Sequence, residues 1–156
     1  MISIDVISEC NLWRKKIKNP DFFFNSLLKT FPKKYRFVKK KISLTVLLSN
    51  NRNIKVLNKK FRNKNKSTDV LSFPSEKKLN ITKSPYIGDI VVSYEFMNKP
   101  KALSGLEFKC KVTKTFIHGF LHLLGYDHIK LKDFKEMLIE EEKIYQTIEK
   151  KIVKLV

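Results

Sequence analysis

Residues 118–128 read His118-Gly119-Phe120-Leu121-His122-Leu123-Leu124-Gly125-Tyr126-Asp127-His128, and they contain all three histidines of the chain. The flanking Phe116 and Ile117, with Phe120, Leu121, Leu123 and Leu124, are good helix formers. On a helix, side chains four apart share a face, so the rings of His118 and His122 sit about 6 Å apart along the axis. Gly125 supplies a stop, since glycine takes the left-handed conformation that ends many helices. Beyond that stop the chain turns back, and His128 can join the first two rings. Three imidazoles with a fourth position open match the ligand count of a catalytic zinc site. A lone histidine on an apolar helix face is usually a core residue. A pair at helical spacing, a glycine break and a third histidine point instead to one metal ion. No fourth Cys or His lies near enough to close the site, and Cys10 and Cys110 are too scattered to act as ligands.

The histidines and glycine match the zinc-peptidase pattern H-E-x-x-H-x-x-G-x-x-H, with one departure. Gly119 stands where that pattern has its glutamate, the general base of peptide hydrolysis. Without that carboxylate, peptidase chemistry is disfavoured even if the metal geometry is shared.

Working outward, Ile2, Ile4 and Val6 alternate with polar residues and predict a strand over 2–7. Residues 13–18 read as a connector. After Pro20, Asp21 can cap a helix through Phe22, Phe23, Leu27, Leu28 and Phe31, which Pro32 ends. Residues 33–41 form a basic loop. Ile42, Leu44, Val46 and Leu48 mark a second strand, followed by a turn and cap at Ser49-Asn50-Asn51. A helix then buries Ile54, Leu57 and Phe61 and ends in the polar stretch 63–67. Val70 to Phe73 is a third strand stopped by Pro74, and residues 75–85 form a loop. Ile87 to Tyr94 is a fourth strand in which Gly88 marks a bulge or close backbone approach. The histidine helix runs from about Ser104 to Leu124. A last helix, from about Leu131 to Lys151, carries the stripe Phe134, Leu138, Tyr145, Ile148 and Ile152. Glu141 falls on that stripe, an unusual place for a carboxylate. These elements predict an α+β fold in one domain over residues 1–156, a small mixed sheet of four strands with four to five helices.

The length of 156 residues and a hydrophobic fraction of 42% suit a single folded domain. The net charge is +18, with 18 basic residues against three acidic ones up to Thr68, and 15 against 12 beyond it. So polarised a field favours a polyanion such as nucleic acid. Because 29 of the 33 basic residues are Lys, compositional drift explains part of it as well. Two cysteines a hundred residues apart suggest free thiols with no disulfide partner, and Asp5 and Glu9 interrupt any leader peptide. No run is long enough to span a membrane. A cytoplasmic protein is expected.

A second constellation reads Asn58-Lys59-Lys60-Phe61-Arg62-Asn63-Lys64-Asn65-Lys66-Ser67-Thr68-Asp69-Val70-Leu71-Ser72-Phe73-Pro74. With Leu57 it resembles the segment L-N-x-x-(F/Y)-R-x-K-D-x-P-T-D-V-L-S-F-P of the YbeY family of bacterial endoribonucleases, the rRNA maturation factors. Ile87-Gly88-Asp89-Ile90 resembles that family's L-G-D-I element. The histidine stretch matches its H-G-x-L-H-L-x-G-Y-D-H at every specified position. Asn65 and Ser67 depart from the pattern's Asp and Pro, which makes the loop less acidic and less rigid.

The resemblance implies a zinc-dependent, single-strand-specific endoribonuclease. It would act on ribosomal RNA of the small subunit, at the 3′ end of 16S rRNA, in maturation and ribosome quality control. It implies one Zn2+ per chain on His118, His122 and His128, with Arg62 as the catalytic arginine. The physical case for Arg62 is that a guanidinium offers a planar fork to phosphate oxygens and keeps its charge. Lys59, Lys60, Lys64 and Lys66 are candidate RNA-backbone contacts. Asp127 or Glu141 is a candidate to orient a ligand ring, though a salt bridge to a nearby Lys would explain either equally well. Turn and cap chemistry competes with RNA contact at Asp69 and Ser72, and Met137 reads as core. The competing function is an RNA-binding ribosome assembly factor with a structural zinc and little catalysis.

Overall fold

The structure, a computed structural model, describes residues 1–76, 85–100 and 103–155. Four strands form one sheet in the order β1-β2-β4-β3: β1 Ile2–Ser8, β2 Ile42–Ser49, β3 Val70–Pro74 and β4 Tyr86–Ser93. β1, β2 and β4 run parallel, and β3 pairs antiparallel to β4 as an edge strand. Among the described residues six α-helices accompany it: α1 Leu12–Lys16, α2 Pro20–Lys29, α3 Asn51–Arg62, α4 Tyr94–Met97, α5 Gly105–Leu123 and α6 Leu131–Ile152. This is the mixed four-stranded α+β layer that the order of the elements predicts. Of the loop expected over 75–85, residues 77–84 lie outside the described residues.

The period-two pattern assigns each strand residue to a side. Ile4, Leu44, Val46, Leu48, Ile90 and Val92 face the main core, which α2 and α5 cover. Leu47, Leu71, Val91 and Phe73 face the opposite side, where Ile54 and Leu57 of α3 pack on them. Aromatic rings root the histidine helix in the main core. Phe116 meets Phe24 at 5.4 Å between centroids, and Phe120 meets Phe31 at 5.3 Å. Such pairs contribute about 0.5–1.5 kcal/mol each beyond their buried area.

Gly88 behaves as its sequence context suggests. The β2–β4 register slips between Ser43 and Thr45, and Gly88 takes φ +137°. A side-chain carbon there would stand 2.3 Å from the carbonyl oxygen of Phe73. The structure corrects four local expectations. The connector at 13–18 holds a one-turn helix, because Trp13 is buried and donates from Nε1 to the Ser49 carbonyl at 2.9 Å. Asn19, not Asp21, caps α2, accepting from Phe22 N at 3.1 Å with Pro20 in the first turn. On α6 the buried stripe is Met137, Ile144, Ile148 and Ile152, while Phe134 and Leu138 are about half exposed at 48% and 50%. On α3, Phe61 is 58% exposed and Asn58 is buried in the position expected of an apolar residue.

Candidate metal centre and cationic edge

α5 presents three distinct faces. Phe116 and Phe120 point into the core, Gly119 meets the sheet, and His118 and His122 point away from both aromatic residues. The sheet contact explains why a glycine occupies the glutamate position of the peptidase pattern. A Cβ at Gly119 would lie 2.9 Å from Ile90 Cγ2 and 3.0 Å from Ser72 Oγ. The helix backbone sits directly on β3 and β4, so a side chain at that position would have to displace Ile90 or Ser72.

Leu124 caps α5 and Gly125 follows at φ +96°. Gly125 N donates to His122 O, and Tyr126 N donates to Leu121 O, both at 3.0 Å. These two bonds form a Schellman ending. It reverses the chain and returns His128 to the helix. The ring centroids of His118, His122 and His128 then lie 4.6 to 5.5 Å apart. One ligand nitrogen from each falls within 4.8 Å of the other two. His118 and His122 are half-buried and His128 is exposed.

The outer nitrogens of two rings are already engaged. His118 Nδ1 lies 2.5 Å from Glu141 Oε1, and His122 Nδ1 lies 2.9 Å from the Tyr126 carbonyl. Each acceptor requires a hydrogen on Nδ1, which leaves the Nε2 lone pair available to an ion. The two Nε2 atoms approach to 3.1 Å. Two ligands of a tetrahedral zinc at about 2.0–2.1 Å stand about 3.3 Å apart, so the spacing fits one shared ion. Burial, then the neighbouring His118 and His128, push the His122 pKa below the usual imidazole value. That favours the neutral, metal-binding form. Three imidazoles suit zinc, copper, iron or nickel. These residues could therefore hold a metal ion.

Of the two carboxylates considered from the sequence, Glu141 touches a ring of the cluster. Asp127 instead accepts from the backbone of His128 at 2.7 Å and shapes the loop. Met137, one turn before Glu141 on α6, is buried in the core. The Tyr126 carbonyl is a partner that sequence reasoning had no means to find, since a backbone acceptor leaves no mark in residue identity.

Arg62 closes α3, whose start is firmly held. Asn50 caps it by accepting from Asn53 N, and Glu95 of α4 accepts from Asn51 N, each at 2.9 Å. The end of the helix is exposed, with Asn63 left-handed at φ 56°. Asn58 explains its own burial there by donating to the Lys66 carbonyl at 2.8 Å, which ties down the loop. On either side of β3, Asp69 and Ser75 bond across to β4 and its end, so Ser72 turns its backbone toward the free edge. Arg62 Nη2 donates to that Ser72 carbonyl at 3.2 Å. The Ser72 hydroxyl donates to the Gly119 carbonyl at 3.1 Å. Ser72 thus connects Arg62 to the backbone between the two helix histidines. Asp69 serves its turn, with Oδ1 accepting from Val70 N at 2.8 Å. Lys59, Lys60, Lys64 and Lys66 are exposed around Arg62, and among the described residues none of them forms an ion pair.

Both cysteines are free, and among the described residues no helix is long and apolar enough to cross a membrane. The family model described as Endoribonuclease YbeY matches residues 9–149. An Endoribonuclease YbeY of Pelagibacter ubique is 72% identical over 97% of this chain and 99% of its own length. The Endoribonuclease YbeY of Borrelia turicatae is 35% identical, over 87% of this chain and 92% of its own. The solution structure of TM1509 from Thermotoga maritima superposes with a TM-score of 0.55 at 27% identity, covering 95% of this chain and 89% of that one. With a histidine helix, a glycine at the sheet contact and an arginine at the β3 edge, the chain belongs to the YbeY family of endoribonucleases.

Proposed function

We propose that the chain, working as one cytoplasmic domain over residues 1–156, is a zinc-dependent endoribonuclease that cuts single-stranded RNA. Its substrate is ribosomal RNA of the small subunit, at the 3′ end of 16S rRNA, during maturation and ribosome quality control. One Zn2+ is held by His118, His122 and His128. The observation that carries this reading is the convergence of the histidine nitrogens, with two rings oriented from behind by Glu141 and the Tyr126 carbonyl.

When bound there, zinc supplies a Lewis acid beside the scissile phosphate. Glu141 orients the His118 ring and raises its basicity. Arg62 uses one donor on Ser72 and keeps its others for phosphate oxygens. Those oxygens gain charge in the transition state, and a fixed guanidinium beside them lowers the barrier. Lys59, Lys60, Lys64 and Lys66 attract the strand without reading its sequence, so affinity falls as salt rises.

Metal-loaded protein incubated with ribosomal RNA tests the reading. Wild type is expected to cleave single-stranded segments. Arg62→Ala is expected to lose cleavage while keeping its fold and metal, and His118→Ala to lose both cleavage and metal. Salt-dependent binding by wild type without any cleavage would favour instead an assembly factor with a structural zinc.

A further inference from the structure

The exposed ring of Phe61 has no role in the chemistry above, and its position contradicts the pattern of its helix. The spacing of Ile54, Leu57 and Phe61 places all three on one apolar face, yet Ile54 is fully buried while Phe61 is 58% exposed. It is not isolated. Its ring meets the half-buried Phe73 edge to face, 5.2 Å between centroids and 63° between planes. Phe61 adjoins Arg62 in sequence and Phe73 adjoins Ser72. The Phe61–Phe73 contact and the Arg62–Ser72 hydrogen bond therefore join the same two segments, α3 and the edge strand β3. Lys60 Nζ stands over the Phe61 ring, 5.3 Å from its centre, and Lys59, Lys64 and Lys66, close by in the chain, are exposed.

We infer that Phe61, backed by Phe73, is a stacking platform for one unpaired nucleobase of the RNA strand whose phosphates Arg62 and the lysines engage. This rests on the endoribonuclease reading and deepens it by naming a source of single-strand preference. A base within a duplex has both faces covered by its neighbours and cannot lie on a protein ring; an unpaired base has a free face. Cationic side chains that track the backbone, with an exposed aromatic ring among them, form the combination by which single strands are held without sequence readout. The exposed apolar area that folding leaves on Phe61 is then covered by the ligand. The contact with Phe73 restricts the tilt of the ring, so little freedom is lost on binding.

The test compares three 2′-O-methyl oligoribonucleotides with the metal-loaded protein: a single strand, the same strand in a duplex, and an abasic strand of equal length and charge. Phe61→Leu keeps an apolar cover over Phe73 and removes the ring. It is expected to bind the base-bearing single strand roughly 5- to 100-fold more weakly than wild type, with unchanged affinity for the abasic strand. Phe61→Trp is expected to hold the single strand as wild type does. Its indole fluorescence should be quenched by the single strand and left unchanged by the abasic one. Equal affinity of wild type and Phe61→Leu for the base-bearing strand, or an equal loss on the abasic strand, would overturn the platform and leave the nuclease reading standing. Wild type that binds none of the three would overturn both. If Phe61→Leu does not fold, the Phe61→Trp quenching decides alone, and its absence on a bound single strand overturns the inference.

Discussion

The histidine loop and the Arg62 edge lie close together through Ser72 but are built differently. Around His118 and His122, position is dictated from several sides at once. Phenyl rings pack beneath α5, Gly119 sits on the sheet, a Schellman turn returns His128, and two acceptors hold the rings. At the end of α3 the backbone is pinned, but the lysine side chains project into solvent and Arg62 is held by its hydrogen bond to the neutral Ser72 carbonyl. A metal ion needs ligand atoms fixed to within a few tenths of an ångström, whereas phosphates attract cations over a Debye length of about 8 Å. The first region therefore uses rigidity and the second uses a field.

Substitutions can break this contrast, and the largest effect is expected at a ligand. His122→Ala should abolish stoichiometric zinc binding in calorimetry, and tight zinc binding by the variant would remove the histidine cluster from consideration. Glu141→Gln should weaken zinc about 10- to 100-fold while thermal unfolding of the chelated protein stays near wild type. Unaltered zinc affinity would reduce Glu141 to a surface ion-pair partner. Gly119→Ala should cost about 1–3 kcal/mol in denaturant titration, since its methyl meets Ile90 and Ser72. Gly105→Ala, with nothing within 4 Å, is the matched control and should cost nothing.

The contact between Tyr35 and α6 carries a pH signature. The Tyr35 hydroxyl donates to Glu140, and together with Lys34 and Lys143 this holds the Glu140 carboxyl below its ordinary range. A depressed carboxyl stabilises the fold above its unfolded value, and that contribution fades as pH falls through the folded one. Tyr35→Phe should therefore cost about 1.5 kcal/mol near pH 7, with the difference from wild type closing as pH falls below the ordinary carboxylate range. A difference that persists unchanged in acid would assign the loss to packing. The smallest effect belongs to the cationic edge. Lys64→Ala should lower the salt dependence of single-strand binding by about 0.7 in the logarithmic slope and leave stability unaltered. A drop in stability there would mean that the two regions are less different than their exposure suggests.

Some of this organisation was legible in residue order. The first two strands followed from alternation and the other two from short apolar runs beside Pro74 and Gly88, and the histidine helix, its glycine stop and the return of His128 followed from spacing. Gly88 and Gly119 also stood out, one as a bulge and one as a departure from a peptidase pattern. Other features were opaque. Leu12–Lys16 lacks the length for a periodic signal, and its helix exists because Trp13 is anchored to β2 and packs against Tyr94 and Phe108. On α6 the apolar residues were numerous enough for two stripes, and the approach of α5 chose the one with Met137, Ile144, Ile148 and Ile152. Phe61 belonged by spacing to the face that Asn58 in fact occupies, because a loop carbonyl at Lys66 needed a donor.

By itself the sequence determined the candidate ligand set, the sheet's inward faces and the concentration of positive charge before Thr68, since these depend on residue type and local period. The tertiary structure alone decided that Ser72 would join Arg62 to α5, that Glu141 would reach His118, and that Gly119 would meet the sheet. Each of these unites segments 10 to 47 residues apart. Their encounter depends on how helices seat on a twisted sheet, and no local pattern encodes that.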